Sequence, residues 1–207
     1  MKLEMQMKSK LMHFIPRISK GFLLIVMLAK FLAPSHANPE DPVRKAEIYL
    51  NTMITLEANF TQINSDGSIS TGKFYLSRPG KFRLAYRKPS DLLVICNGQD
   101  IVNYDSGNAD PTSVELKATP ISFILDKHVS LQGEVTVTSV LPNARGLSLT
   151  LVKTAEPEVG SITLFFNQSP YMLEKWIVND GQGGRTEVNL QNVILNQKHD
   201  RRLFELK

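Results

Sequence analysis

Few side chains in this sequence are of a type and spacing that could make or break bonds. Of its four histidines, His13 and His36 fall in the first 37 residues, which leaves His128 and His199. No H-E-x-x-H, no cysteine pair and no histidine cluster at metal-ligand spacing is present, so neither a metal nor another cofactor is expected. There is no G-x-S-x-G. The single cysteine, Cys96, sits in "DLLVICNG", an apolar strand pattern in which a thiol reads as inert filling rather than a nucleophile. "DGQGGR" (180–185) is glycine-rich, but it separates two strand-like runs and lacks the Lys-Ser/Thr of a phosphate loop, so it reads as a hairpin turn. Carboxylates are scattered, and His128 beside Lys127 reads as a dipole partner at a helix end. An enzyme is not expected.

One basic stretch does break a pattern. "GKFYLSRPGKFRLAYRKP" (72–89) alternates apolar and polar residues as a half-buried hairpin does. Lys73, Arg83 and Arg87 fall opposite Phe74, Leu76, Phe82, Leu84 and Tyr86, on a solvated face, and Lys81 and Lys88 fall at turns. Arg78 does not follow suit: stepping by two from Phe74 through Leu76 places it on the apolar side, at the strand end. A guanidinium there must either reach hydrogen-bond acceptors or escape to the rim.

Composition narrows the partners. Lys2, Lys8, Lys10, Arg17 and Lys20 precede the short apolar run "GFLLIVMLA" (21–29), and "APSHA" (33–37) puts small residues at the positions a signal peptidase reads. Residues 1–37 are therefore expected to be a secretory signal peptide cleaved after Ala37. That segment holds 6 of the 24 Lys and Arg and 1 of the 20 Asp and Glu, leaving 18 basic and 19 acidic residues in the mature chain. The basic character belongs mostly to the leader, so no nucleic-acid partner is expected. One cysteine cannot staple a secreted domain, so a hydrophobic core must hold it.

The elements that carry these residues follow from periodicity. Asp41-Pro42 is an N-cap and N1 pair, and Val43, Ala46, Leu50 and Met53 recur at helical spacing, which predicts a helix from Pro42 to about Met53. From there the period drops to two, through eleven short runs separated by turn residues such as Asp66-Gly67, Pro79-Gly80 and Asn97-Gly98. One curved antiparallel sheet of meander type results, in a single domain over 38–207. Its inward rows include Phe74 and Leu76, then Phe82, Leu84 and Tyr86, then Leu147, Leu149 and Leu151. "TPISFILDKHVS" (119–130), with Thr119 as cap and Pro120 at N1, predicts a second helix able to cover the mouth. Such a sheet holds either a packed core or a lined cavity.

Five pieces, in order, resemble the LolA family of periplasmic lipoprotein carriers: "ANFTQ" (58–62), "SISTGKFYLSRPGKFRLAY" (68–86), "PSDLLVICNGQDIVNYD" (89–105), "ATPISFIL" (118–125) and "DGQGGRTEVNLQNV" (180–193). Leu84 stands where the family commonly has an aromatic, and Cys96-Asn97 where it has Ser-Asp. The chain ends at "RRLFELK", where family members commonly run on through F-x-x-P-x-G-x-D.

The resemblance implies a mainly β fold (α+β), an unclosed antiparallel β-barrel with an α-helical lid. It implies acyl-chain contacts at Phe60, Phe74, Leu76, Phe82, Leu84, Tyr86, Ile121, Leu147 and Leu149. It also implies a lid latch in which Arg78 donates to the carbonyls of Leu50, Ile124 and Leu125, so that Arg78→Leu would bind lipoprotein but release it poorly. The implied partners of this periplasmic monomer are lipoprotein acyl chains, an inner-membrane ABC-type lipoprotein-releasing complex and an outer-membrane acceptor. Carriage of another amphiphile, such as a glycolipid or phospholipid, fits the same cavity chemistry, and a filled, non-carrier module is a third reading.

Overall fold

A computed structural model of the protein describes residues 41–107 and 110–207. The expected signal peptide lies outside the described residues. Helix α1, Pro42–Thr52, begins where the sequence predicts: the Asp41 carboxylate accepts the Val43 N–H at 3.0 Å, and Pro42 occupies the first turn. Its buried face is Ala46, Tyr49 and Leu50.

Eleven strands follow, each overlapping one of the alternating runs. They are β1 Thr55–Ile63, β2 Ile69–Ser77, β3 Lys81–Tyr86, β4 Leu93–Asn97, β5 Asp100–Tyr104, β6 Thr112–Glu115, β7 Val135–Asn143, β8 Gly146–Lys153, β9 Gly160–Gln168, β10 Tyr171–Asp180 and β11 Arg185–Leu195. All pair antiparallel in one sheet of order β6-β5-β4-β3-β2-β1-β11-β10-β9-β8-β7. Two meanders therefore meet at β1–β11, and the sheet stays open, with β6 and β7 as its edges. Register irregularities in β1–β11, β9–β10 and β7–β8 help such a sheet to curl.

The inner face reads as predicted along its rows. Phe74 lies across from Leu84, and Leu76 from Phe82. Gly72 lies across from Phe60, and a Cβ there would come within 2.3 Å of Ala85 O and 2.5 Å of the Phe60 ring. Only glycine lets that ring lie flat over β2.

The second predicted helix is the main departure. The segment joining β6 to β7 spans the two sheet edges, and only Ser122–Leu125 (α2) is helical, after a 3-10 turn at Leu116–Ala118. Thr119 does not cap it; its hydroxyl donates back to Leu116 O at 2.7 Å, and Ser122 donates to Thr119 O at 2.8 Å. These short side chains satisfy the turn locally instead of starting a longer helix. His128 is exposed and lies beyond the end of α2, so the expected dipole role does not hold. The lid is a strap with one helical turn rather than a helix.

Outside the sheet, a smaller cluster forms. Leu93, Ile95, Val102 and Phe204 are buried apart from the main cluster, and the C-terminal 3-10 turn Arg201–Phe204 packs against β3 and β4. Arg83 donates to Leu203 O at 3.2 Å, so the C-terminal turn covers part of this base and leaves it half-buried. Lys73 and Arg87 do face water, with Lys73 paired to Glu57 at 2.8 Å and Arg87 reaching Asn59 at 3.3 Å.

Candidate functional site: the strap and the face beneath it

Beneath the strap, the inner face is continuous and apolar. Phe60, Phe74, Leu76, Phe82, Leu147 and Leu149 are buried in one cluster, and Leu84, Tyr86 and Ile121 pack partly buried against it. Every residue expected to line the interior is thus gathered there. Trp176, not among the expected lining residues, joins them with its ring 5.3 Å from Phe74. Tyr86 stacks edge-on to Phe60 at 5.0 Å and donates its hydroxyl to Gln62 at 2.6 Å. Burial pushes its phenol up to about 12, so it stays a neutral donor.

The strap contributes Leu116, Phe123, Ile124, Leu125, Val129 and Leu131 to that cluster. The side chains in the middle of the inner face touch one another and the strap.

Arg78 lies where the alternation predicts, buried at 8% exposure beside the strap, but it does not make the expected bonds. None of its three guanidinium nitrogens has a hydrogen-bond partner among the described residues, so the bonds to Leu50, Ile124 and Leu125 are not formed. Burial pulls its pKa below the ordinary value, and the nearby Asp126 carboxylate offsets this in part.

The fastening is main-chain. Gly80, two residues on, donates its N–H to Leu125 O at 2.8 Å and accepts the Cys96 thiol on its own carbonyl at 2.9 Å. Gly80 has φ +72°, the left-handed turn conformation that glycine adopts without strain. Leu125 O is thereby occupied by a backbone donor instead of the guanidinium. Burial holds the Cys96 thiol up, as an inert filler requires.

A second fastening was not anticipated. The Asn51 carboxamide pairs with Val129 as another strand would, donating to Val129 O at 2.8 Å and accepting Val129 N–H at 3.0 Å. One turn earlier, Glu47 accepts Leu131 N–H at 2.8 Å. The signal was present: polar residues at i and i+4, beside the buried Leu50, on an otherwise apolar helix face.

At the strap's rim, Lys117, Ser122, Asp126, His128, Glu134 and Lys153 help to line a cavity of about 320 Å³. Partial burial, and then Glu134, raise the Asp126 pKa. His199 lies elsewhere, its ring between Tyr75 and Phe204 outside the sheet. Among the described residues, no three His, Cys, Asp or Glu side chains gather as a metal site, and no helix is long and apolar enough to cross a membrane.

An open, curled antiparallel sheet with an apolar inner face under a strap defines a lidded half-barrel. The chain belongs to the LolA family: the family described as outer membrane lipoprotein carrier protein LolA matches residues 51–207. An outer-membrane lipoprotein carrier protein of Legionella pneumophila is 28% identical over 202 residues, covering 92% of this chain and 95% of the relative. One of the same name from Pseudomonas aeruginosa is 27% identical over 192 residues, covering 88% and 91%. An uncharacterised protein of Rickettsia prowazekii is 23% identical over 186 residues, covering 90% and 86%. Among solved structures, a LolA superfamily protein from Nitrosomonas europaea aligns with TM-score 0.44 at 9% identity, covering 80% of this chain and 98% of that one.

Proposed function

We propose that the protein carries lipoproteins across the periplasm, sheltering their acyl chains on the inner face after release from an inner-membrane ABC-type complex and delivering them to an outer-membrane acceptor. We assign residues 1–37 as the export leader, cleaved after Ala37. The supporting observation is the apolar inner face closed by a strap that a few polar contacts fasten, in a chain that belongs to the LolA family. Phe60, Phe74, Leu76, Phe82, Leu84, Tyr86, Ile121, Leu147 and Leu149 are the proposed acyl contacts.

Energetics favour this division of labour. Burying an acyl chain is worth about 0.8 kcal/mol per methylene, or roughly 12 kcal/mol for one long chain. A carrier must match most of that to draw cargo off a membrane, yet still release it. Opening the strap subtracts from the binding free energy, and reclosing helps to expel the chain. The proposed latch is the bond from Gly80 N–H to Leu125 O, two residues beyond Arg78, with Leu50 and Ile124 buried in the same cluster as Leu125.

The test is incubation of the purified protein with spheroplasts that hold a labelled lipoprotein, followed by mass spectrometry of what it binds. Soluble complexes with acylated protein support the reading. Recovery of only phospholipid or glycolipid would replace lipoprotein with another amphiphile as cargo.

A further inference from the structure

The two fastenings of the strap come from different elements and differ in their number of hydrogen bonds. The limb that contains α2 is held at the β2–β3 turn by one main-chain bond, Gly80 N–H to Leu125 O at 2.8 Å, and is tied at its β6 end by Leu116 N–H to Gln99 O at 2.8 Å. Next to that bond, closure buries the Arg78 guanidinium with no acceptor, and placing a charged donor out of water without a partner opposes the closed state. The other limb is held by three bonds: Asn51 to both main-chain groups of Val129 and Glu47 to Leu131 N–H, the last assisted by the carboxylate charge. Both limbs bury apolar side chains, Ile124 and Leu125 at 2% and 1% exposure and Val129 and Leu131 at 4% and 2%, so the difference between them lies in the polar bonds. Helix α1, which provides this clasp, is pinned in turn. Asn196 at the end of β11 accepts Ile54 N–H at 2.9 Å and donates to Thr52 O at 3.0 Å. Arg78 N–H donates to Ile54 O at 2.9 Å.

We propose that the strap is a one-sided gate: Glu47 and Asn51 of α1 are its hinge, Gly80–Leu125 is its free edge, and cargo slips in beside the β2–β3 turn. Breaking the free edge loses one bond and returns a buried cation to water. Breaking the hinge loses three bonds, although the Asn51 carboxamide keeps its bond to Glu47 O at 2.9 Å. Between the limbs, Asp126, Lys127 and His128 are exposed. The slot uncovered by the free edge has Phe82 and Cys96 on the sheet side, opposite each other in the β3–β4 register, and Ile124 and Leu125 on the strap. Only the purpose given to the gate rests on the carrier reading.

The donors in both fastenings are amides, so hydrogen exchange reads them directly. In the empty protein, the Gly80 amide is expected to be protected at least about tenfold less than those of Val129 and Leu131. Equal protection, meaning that the strap lifts as one flap, overturns the proposal, as does weaker protection at Val129 and Leu131. Asn51→Ala should then lower Val129 protection by about tenfold or more while leaving Gly80 unchanged, and an unaltered Val129 contradicts the hinge. The wild-type comparison decides the point even if that variant fails to fold. Because no amphiphile is needed, the result is separate from whether one binds.

Discussion

Arg78 changes meaning once its surroundings are known. Alternation alone places it on the apolar side, and the structure puts it there, at 8% exposure. Its chemistry is another matter. A guanidinium carries five donors and no acceptor, and here none of its nitrogens finds a partner among the described residues, while Leu125 O accepts Gly80 N–H. Leaving a buried donor unpaired costs about 1–3 kcal/mol, and more when it is charged. Arg78→Leu should therefore raise the thermal midpoint of the empty protein, by about 2–4 °C for each kcal/mol recovered. This reverses the sign that a hydrogen-bonded latch implies: a tighter closed state takes up cargo less readily. Melting curves of wild type and variant decide it, and a fall in the midpoint would show that the guanidinium stabilises closure.

At the level of elements, the strap and β2 carry separate predictions. Asp126, beside the free edge, has its pKa raised by partial burial and then by Glu134, while Lys117 and Arg78 pull the other way. A carboxyl with a raised folded pKa binds its proton more tightly when folded. Stability at this site is therefore greatest at low pH, and is lost as pH climbs from the ordinary carboxylate value of 3.8 through the raised one. Asp126→Asn should flatten that part of the stability–pH curve and stabilise the protein at neutral pH; a variant curve that parallels wild type contradicts this. In β2, Gly72→Ala would drive a methyl into Ala85 O and the Phe60 ring, at 2.3 and 2.5 Å. Because one obstacle is main chain, it cannot simply swing aside. A loss of about 1–3 kcal/mol in urea unfolding is expected, and wild-type stability would mean that the β2–β3 pair is looser than it stands here.

Across the whole molecule, the sequence disclosed most where one residue type faced one environment. Every alternating run became a strand, because period-two burial leaves little choice of register face. Phe74, Leu76, Phe82, Leu147 and Leu149 fell inward for the same reason. The strap was harder to read. Thr119 and Pro120 looked like a helix start, but Thr119 and Ser122 bond locally, and only one turn forms. The fastenings were harder still, since Gly80 and Leu125 meet through main-chain atoms that carry no residue signature. Asn51 and Glu47 left a trace, as polar residues one turn apart, but their partners lie 78 and 84 residues away. Arg83 misled because the C-terminal turn that covers it is remote in sequence.

On the proposed function, the inner face takes acyl chains once the strap lifts. The most direct measurement is the amount of labelled lipoprotein that the purified protein brings into solution from spheroplasts. Soluble lipoprotein that rises with added protein and saturates as a one-to-one complex is the predicted result. Label that stays with the membranes at the level of buffer alone would contradict it.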